Sequence, residues 1–240
     1  MDFKNRIAEL KERSRIKNIY TFTDFLSPTE QSEAGKDNVL FWGGHELSER
    51  RKACFGSIEE FGYEPDFGIV LLKITPSGAK FQEPITHRDI LGAVLNLGVE
   101  RAKTGDIFTS EKQSFIFVDE KMAELIKNEL KRVGRAVVTV EEAESLPDEL
   151  RPVIEDKKVS VASPRADSIV GAAYNLSREK SSELFLKSRV TVNGKEFPDG
   201  SKKLKANDVT AVRGFGKFIF YEECGESRKG KLYVRLGVYK

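Results

Sequence analysis

Cysteine, histidine, methionine and tryptophan are all scarce in this chain: two, two, two and one among 240 residues. Cys54 and Cys224 stand far apart, with no CxxC spacing and no Cys/His cluster, which excludes a disulfide framework and a zinc site and fits a reducing compartment. No apolar run approaches the roughly 20 residues that span a bilayer. The opening Met1-Asp2-Phe3-Lys4-Asn5-Arg6 lacks the apolar stretch of a secretory signal, so the expected setting is the cytoplasm, with no membrane partner. Gly214-Phe215-Gly216 lacks the third glycine and the strand-helix setting of a dinucleotide loop; a bend between strands is its expected role. No metal or cofactor is expected, and no internal repeat is visible.

What is present suffices for folding. Hydrophobic residues at 39% and aromatics at 10% can bury proper cores even with 32% charged residues. The length exceeds one typical domain, and the pattern suggests an α+β fold class in three parts. These are an N-terminal α+β domain over 1–75, a ferredoxin-like (RRM-like) βαββαβ domain over 76–145, and a basic module over 160–240 with a C-terminal β-hairpin extension. Residues 141–160, with Glu141, Glu142, Glu144, Pro147, Asp148, Glu149 and Pro152, read as a linker. The net charge of +2 conceals an asymmetry: residues 160–240 hold 16 Lys+Arg against 9 Asp+Glu, so residues 1–159 hold 24 against 29. On charge alone the basic end is equally a polyanion-binding surface or a solvated face.

Phe3, Ile7, Leu10 and Ile16 give residues 2–17 one apolar side, an amphipathic helix. Ser27-Pro28-Thr29-Glu30 signals a helix start, and Val39-Leu40-Phe41-Trp42 reads as a buried strand closed by Gly43-Gly44. A strand from Phe67 to Ile74 completes the first domain. The central βαββαβ order then comprises a short strand at 79–82 and a helix opened by Thr86 with Asp89 three residues later. A hairpin of 106–109 and 113–118, a helix capped by Asp119 and ended by Gly134, and a strand at 135–140 follow.

In the basic module, Ser163-Pro164 predicts a helix start with Asp167 in its first turn and Ile169, Val170 and Ala173 inward. Ser177 is expected to cap a second helix. At about 100° per residue, Arg178 and Arg189 fall within roughly 20° of each other, while Lys180 and Lys187 lie near the opposite side. Val190 and Val192 alternate into Asn193-Gly194, a dipeptide that accepts the positive φ values of a type I′ hairpin turn. Lys195, Lys202, Lys203 and Lys205 follow on loops or strand rims, where ammonium groups suit sequence-independent phosphate contact.

Arg165-Ala166-Asp167, Ser177-Arg178, Lys187-Ser188-Arg189 ahead of Val190-Thr191-Val192-Asn193-Gly194, and a late Asp208-Val209 resemble the S4 RNA-binding domain in order and kind. The usual Leu between Arg and Asp is Ala166 here, which trims packing without touching the RNA face. Upstream stand Phe22-Thr23-Asp24-Phe25-Leu26-Ser27-Pro28, Phe41-Trp42-Gly43-Gly44-His45-Glu46 with Glu49-Arg50, and Thr86-His87-Arg88-Asp89-Ile90-Leu91-Gly92 with Asn96-Leu97-Gly98. Together these motifs are similar to the YlmH family of bacterial S4-domain proteins over nearly the whole length. The resemblance implies a non-catalytic RNA binder of the bacterial cytoplasm that engages the large ribosomal subunit and its rRNA. Obstruction by peptidyl-tRNA, in rescue of stalled translation, is the implied occasion, and tRNA a further candidate partner. It also implies an RNA-facing surface of Arg165, Arg178, Lys180 and Arg189, to which Ser177, Lys187, Lys195, Lys202, Lys203 and Lys205 are added here. A monomer is expected.

The alternative class is an RNA-modifying enzyme that captures substrate with the S4 part and uses His87 and Asp89 for chemistry. Thr86-His87-Arg88-Asp89 lacks the Leu before Asp and the Thr-Ser-Gly continuation of the pseudouridine synthase motif, and synthetase signatures of the HIGH and KMSKS type are missing. Capping already accounts for Asp89, so no catalytic residue is assigned. Phe41, Trp42 and Phe115 to Phe117 are expected in cores and not as base-stacking platforms. Arg50-Arg51-Lys52 is either a second basic contact or a solvated helix face.

Overall fold

The computed structural model describes residues 2–35, 38–77, 84–151, 153–226 and 230–239. The chain forms two compact units, Met1–Arg151 and Pro152–Lys240.

In the first unit, helix α1 (Phe3–Lys17) turns Ile7 inward onto Leu26, Ala53 and Phe55, while Ile16 is exposed. Strands β1 (Thr21–Leu26), β2 (Val39–Trp42) and β3 (Arg51–Phe55) form an antiparallel sheet in the order β1-β3-β2. Between the first two lies helix α2 (Pro28–Ala34), opened by a capping box in which the Ser27 amide donates to the Glu30 carboxylate at 2.7 Å. The β2 strand is not buried as expected: it forms the sheet edge, so its residues alternate between half-buried and exposed.

After the short helix α3 (Ile58–Phe61) comes β4 (Ile69–Ser77), then helix α4 (His87–Asn96), the hairpin β5 (Thr104–Thr109) and β6 (Ser114–Asp119), helix α5 (Glu120–Glu129), β7 (Arg132–Val133) and β8 (Ala136–Ala143). The sheet order is β5-β6-β4-β8-β7. Apart from the added edge β7, this is the ferredoxin-like arrangement, with β4 central and antiparallel to both β6 and β8. The first strand of the βαββαβ order is therefore β4, and the domain boundary expected near residue 75 falls inside it. The strand expected at 79–82 lies outside the described residues. Gly134 does not end α5; with φ of 57° it makes the turn that pairs Val133 with Ala136.

Half of the stretch expected as a linker is strand. The β8 strand runs to Ala143, and β9 (Ile154–Val161) opens the second unit. Three of the acidic residues that suggested a solvated tether make surface ion pairs: Glu141 with Lys73 at 2.9 Å, Glu142 with Lys127 at 2.8 Å and Asp148 with Arg151 at 3.0 Å.

Helices α6 (Ala166–Ala173) and α7 (Arg178–Leu186) come next, followed by β10 (Val190–Val192), β11 (Lys195–Glu196), β12 (Asp208–Val212), β13 (Gly216–Glu226) and β14 (Leu232–Tyr239). The sheet order is β11-β10-β12-β13-β14-β9, antiparallel throughout. One core joins the helices to the sheet through Ile169, Val170, Leu184, Phe185, Val190, Val212, Phe218 and Leu236. Helix α6 starts two residues later than Ser163-Pro164 suggests. Its first amides, those of Ala166 and Asp167, donate to the carbonyls of Lys202 and Gly200 at 2.8 and 2.9 Å, so a neighbouring loop sets the start. Among the described residues no helix is long and apolar enough to cross a membrane.

Candidate nucleic-acid interface

Helix α7 begins where Ser177 Oγ accepts from the Lys180 amide at 3.2 Å, so the cap is as expected. Its first turn holds Arg178 and Lys180 outward, because Ser181, Leu184 and Phe185 are drawn into the core. Ser181 Oγ donates to the Asp167 carbonyl at 2.5 Å and ties α7 to α6. The helical phase that aligned Arg178 with Arg189 does not apply, because α7 stops at Leu186 and Ser188 is left-handed with φ of 50°. Arg189 instead stands just before β10, where its carbonyl accepts from the Arg213 amide at 2.9 Å. Arg178, Arg189 and Arg213 are all exposed, and none has a side-chain hydrogen bond or ion pair among the described residues.

The remaining expected residues form further groups. Lys180 Nζ lies 5.9 Å from the centre of the Phe215 ring, joining the start of α7 to the β12–β13 turn. Arg165 is half-buried and grips the buried Asp167 at 2.6 and 3.1 Å, which raises its pKa through that hydrogen bond and charge. It is thus a positioning cation, with the exposed Lys202 and Lys203 beside it on the loop that bridges Arg165 to Lys203. Asn193 and Gly194 have φ of 50° and 77°, as the I′ turn requires. Asn193 Oδ1 accepts from the Val209 amide and Asn193 Nδ2 donates to Asp208, whose carboxylate also accepts from the Lys205 amide. That network holds exposed Lys205 near the hairpin that carries exposed Lys195. Lys187 pairs with Glu183 on the same exposed helix side.

Two residues of this surface carried no motif. Arg213 sits in a turn, and only its pairing with Arg189 brings it to the face. Leu186 is 84% exposed beside Lys187, an apolar group that a base or ribose can cover.

In the first unit the cations of Arg50-Arg51-Lys52 meet neither expectation, because this run leads into β3 and turns inward. Lys52 is 4% exposed; its Nζ donates to Asp119 at 2.9 Å and to the carbonyls of Phe67 and Gly68 at 2.8 and 3.0 Å. Arg50 donates to the carbonyls of Thr104, Phe25 and Arg101, and its burial lowers its pKa. Arg51 donates to the carbonyls of Ser48 and Glu46. The Gly43-Gly44 pair is equally structural. A Cβ on Gly43 would lie 2.3 Å from the Arg50 carbonyl oxygen, and one on Gly44 2.3 Å from the Phe117 ring.

His87 and Asp89 are not joined by a hydrogen bond among the described residues. The Asp89 carboxylate instead accepts from the Thr86 amide at 2.9 Å and the Thr86 hydroxyl at 2.6 Å, which hold its pKa below the usual carboxylate range. Burial, followed by the nearby Arg101 charge, lowers the His87 pKa. His45 Nδ1 accepts from the Leu47 amide at 3.1 Å, within its own loop. Among the described residues no group of three His, Cys, Asp or Glu side chains is placed to hold a metal.

Phe115 and Phe117 are buried, as expected, but Trp42 is 39% exposed at the edge of β2. The sheet face opposite α4 and α5, which in an RRM-like domain stacks bases, is largely covered by the chain itself, apart from a pocket of about 400 Å³ lined by Trp42, His45, Ile69, Leu71 and Phe117. Phe25, Leu71, Phe115, Phe117 and Leu146 form one cluster there, with Leu150 packed against it.

Taken together, the fold and its cationic face define an α+β protein of a ferredoxin-like sheet and a second, basic α+β unit. The family profile described as "Putative RNA-binding domain in YlmH" matches residues 63–146. The chain is 30% identical over 233 residues to "Ribosome-associated protein quality control protein P2" of Bacillus subtilis (strain 168), covering 94% of this chain and 88% of that one. A solved structure, "Cell division protein ylmH from Streptococcus pneumoniae", is 26% identical, covers 59% of this chain and 88% of its own, and superposes with a TM-score of 0.47. The chain belongs to the YlmH family.

Proposed function

We propose that this protein is a non-catalytic RNA binder whose second unit is an S4-type module that docks on structured rRNA of the large ribosomal subunit in the cytoplasm. Its occasion is rescue of stalled translation, with peptidyl-tRNA as the neighbouring ligand. One observation carries this reading: Arg178 and Arg189 are exposed and make no side-chain hydrogen bond or ion pair among the described residues, on a scaffold whose core and caps hold their backbone still. Exposed guanidinium groups on a fixed frame suit phosphate contact, because each forks two hydrogen bonds onto one phosphate and displaces counterions. The kinship with a relative named for ribosome-associated quality control supports the ribosomal assignment. The enzyme alternative loses its candidate pair, since Asp89 is committed to the α4 cap.

The test is co-sedimentation of R178E/R189E with purified large ribosomal subunits at moderate salt. Strong loss of association is expected with an unchanged unfolding midpoint, because neither side chain supports the fold. Undiminished co-sedimentation would overturn the proposal.

A further inference from the structure

We infer that a groove between α4 and β7, on the helical side of the ferredoxin-like sheet, is a second docking site for the RNA backbone. The inference rests on the RNA-binding reading and says which surface of residues 63–146 takes part. Two observations converge on it. Most of the sheet face that would ordinarily stack bases is occupied by Phe25, Leu146 and Leu150, which leaves only a small pocket beside Trp42 and His45 open on that side. A groove of about 590 Å³ opens on the other side, where Arg88, Lys131 and Arg132 are exposed and free of ion pairs among the described residues.

The chemistry of its walls favours a polyanion. Three cations, Arg88, Lys131 and Arg132, face two carboxylates, Asp89 and Glu129, and the Asp89 carboxylate is turned onto the Thr86 amide and hydroxyl. Arg135 adds a further exposed cation at the turn, where its carbonyl accepts from Arg132. This is a cationic island in a stretch, residues 1–159, whose acidic residues outnumber its basic ones. The groove also collects a motif that folding alone leaves unexplained. Arg88, Gly92, Asn96 and Leu97 come from one sequence stretch and line one wall. Gly92 sits within α4, where glycine weakens a helix, yet a Cβ there would meet nothing within 4 Å. Internal packing does not require that glycine, and the bare helix surface it leaves gives a ligand room to approach the backbone.

The experiment compares full-length R88E/R132E, R178E/R189E, the quadruple variant and Gly92→Leu for binding to transcribed large-subunit rRNA across a salt series. For R88E/R132E the expected result is about tenfold weaker binding and a salt slope smaller by about two, one for each phosphate contact removed. The quadruple variant should lose both increments. Gly92→Leu adds bulk without changing charge, so it should weaken binding while far-ultraviolet circular dichroism stays unchanged. A normal slope and affinity in both R88E/R132E and Gly92→Leu, with R178E/R189E impaired, would overturn this inference alone. Normal binding in R178E/R189E would instead overturn the proposal for the second unit. Full binding to naked rRNA but loss on ribosomal particles would assign the groove to a protein partner, which also overturns the RNA assignment.

Discussion

At the residue scale, the most consequential pair is Lys52 and Asp119, both buried and 2.9 Å apart. Burial raises the Asp119 pKa, but the Lys52 hydrogen bond and charge and the Lys121 amide outweigh it, leaving the folded value below normal. A depressed folded pKa stabilises the native state fully above the unfolded carboxylate value of about 3.9. That stabilisation is lost as the pH falls from there through the lower folded value. Lys52→Met strands a buried carboxylate and should cost about 3–5 kcal/mol in denaturant unfolding. It should also remove part of the acid dependence below pH 4, and a wild-type midpoint would refute the role given to this pair. Lys52 was unreadable from sequence because it adjoins Arg50 and Arg51. Three successive cations resemble a solvated face, and only the central place of β3 in its sheet, where Lys52 to Phe55 are all buried, takes this one inside.

At the element scale, caps and turns were the most legible features, because they are local. Ser27, Thr86, Asp119 and Ser177 all cap the helices their spacing indicated, and Asn193-Gly194 makes the hairpin turn. What failed depended on distant partners: the start of α6, fixed by the loop around Gly200, and the place of β4, fixed by β6 and β8. Ser177→Ala should lower stability by about 1 kcal/mol in thermal unfolding while leaving the salt slope for RNA intact, because the hydroxyl is spent on the cap. Gly92→Ala should raise stability by up to about 1 kcal/mol. A fall in stability would show that the helix, and not a ligand, requires that glycine.

At the scale of the whole molecule, the charge asymmetry pointed to the exposed cations of the second unit but concealed the groove of the first. A sum over 159 residues cannot reveal three cations gathered by folding from positions 88, 131 and 132. Nor could it show that Glu141 and Glu142 serve ion pairs and not a linker. The second unit has its own buried core, from Val159 to Leu236. Residues 152–240 alone should therefore unfold in one cooperative transition and bind rRNA with a smaller salt slope than the full chain. A non-cooperative transition would show that the unit depends on the first.

The covered part of the sheet face bears on any attempt to isolate the RNA-binding segment. Cutting the chain to residues 63–146 would strip Phe25 and Leu150 from Leu71, Phe115 and Phe117. A sticky, oily plane would then be laid bare to water, and the excised piece would self-associate through it. Phe25 from one side of the segment and Leu150 from the other thus shield that plane from water in the intact chain.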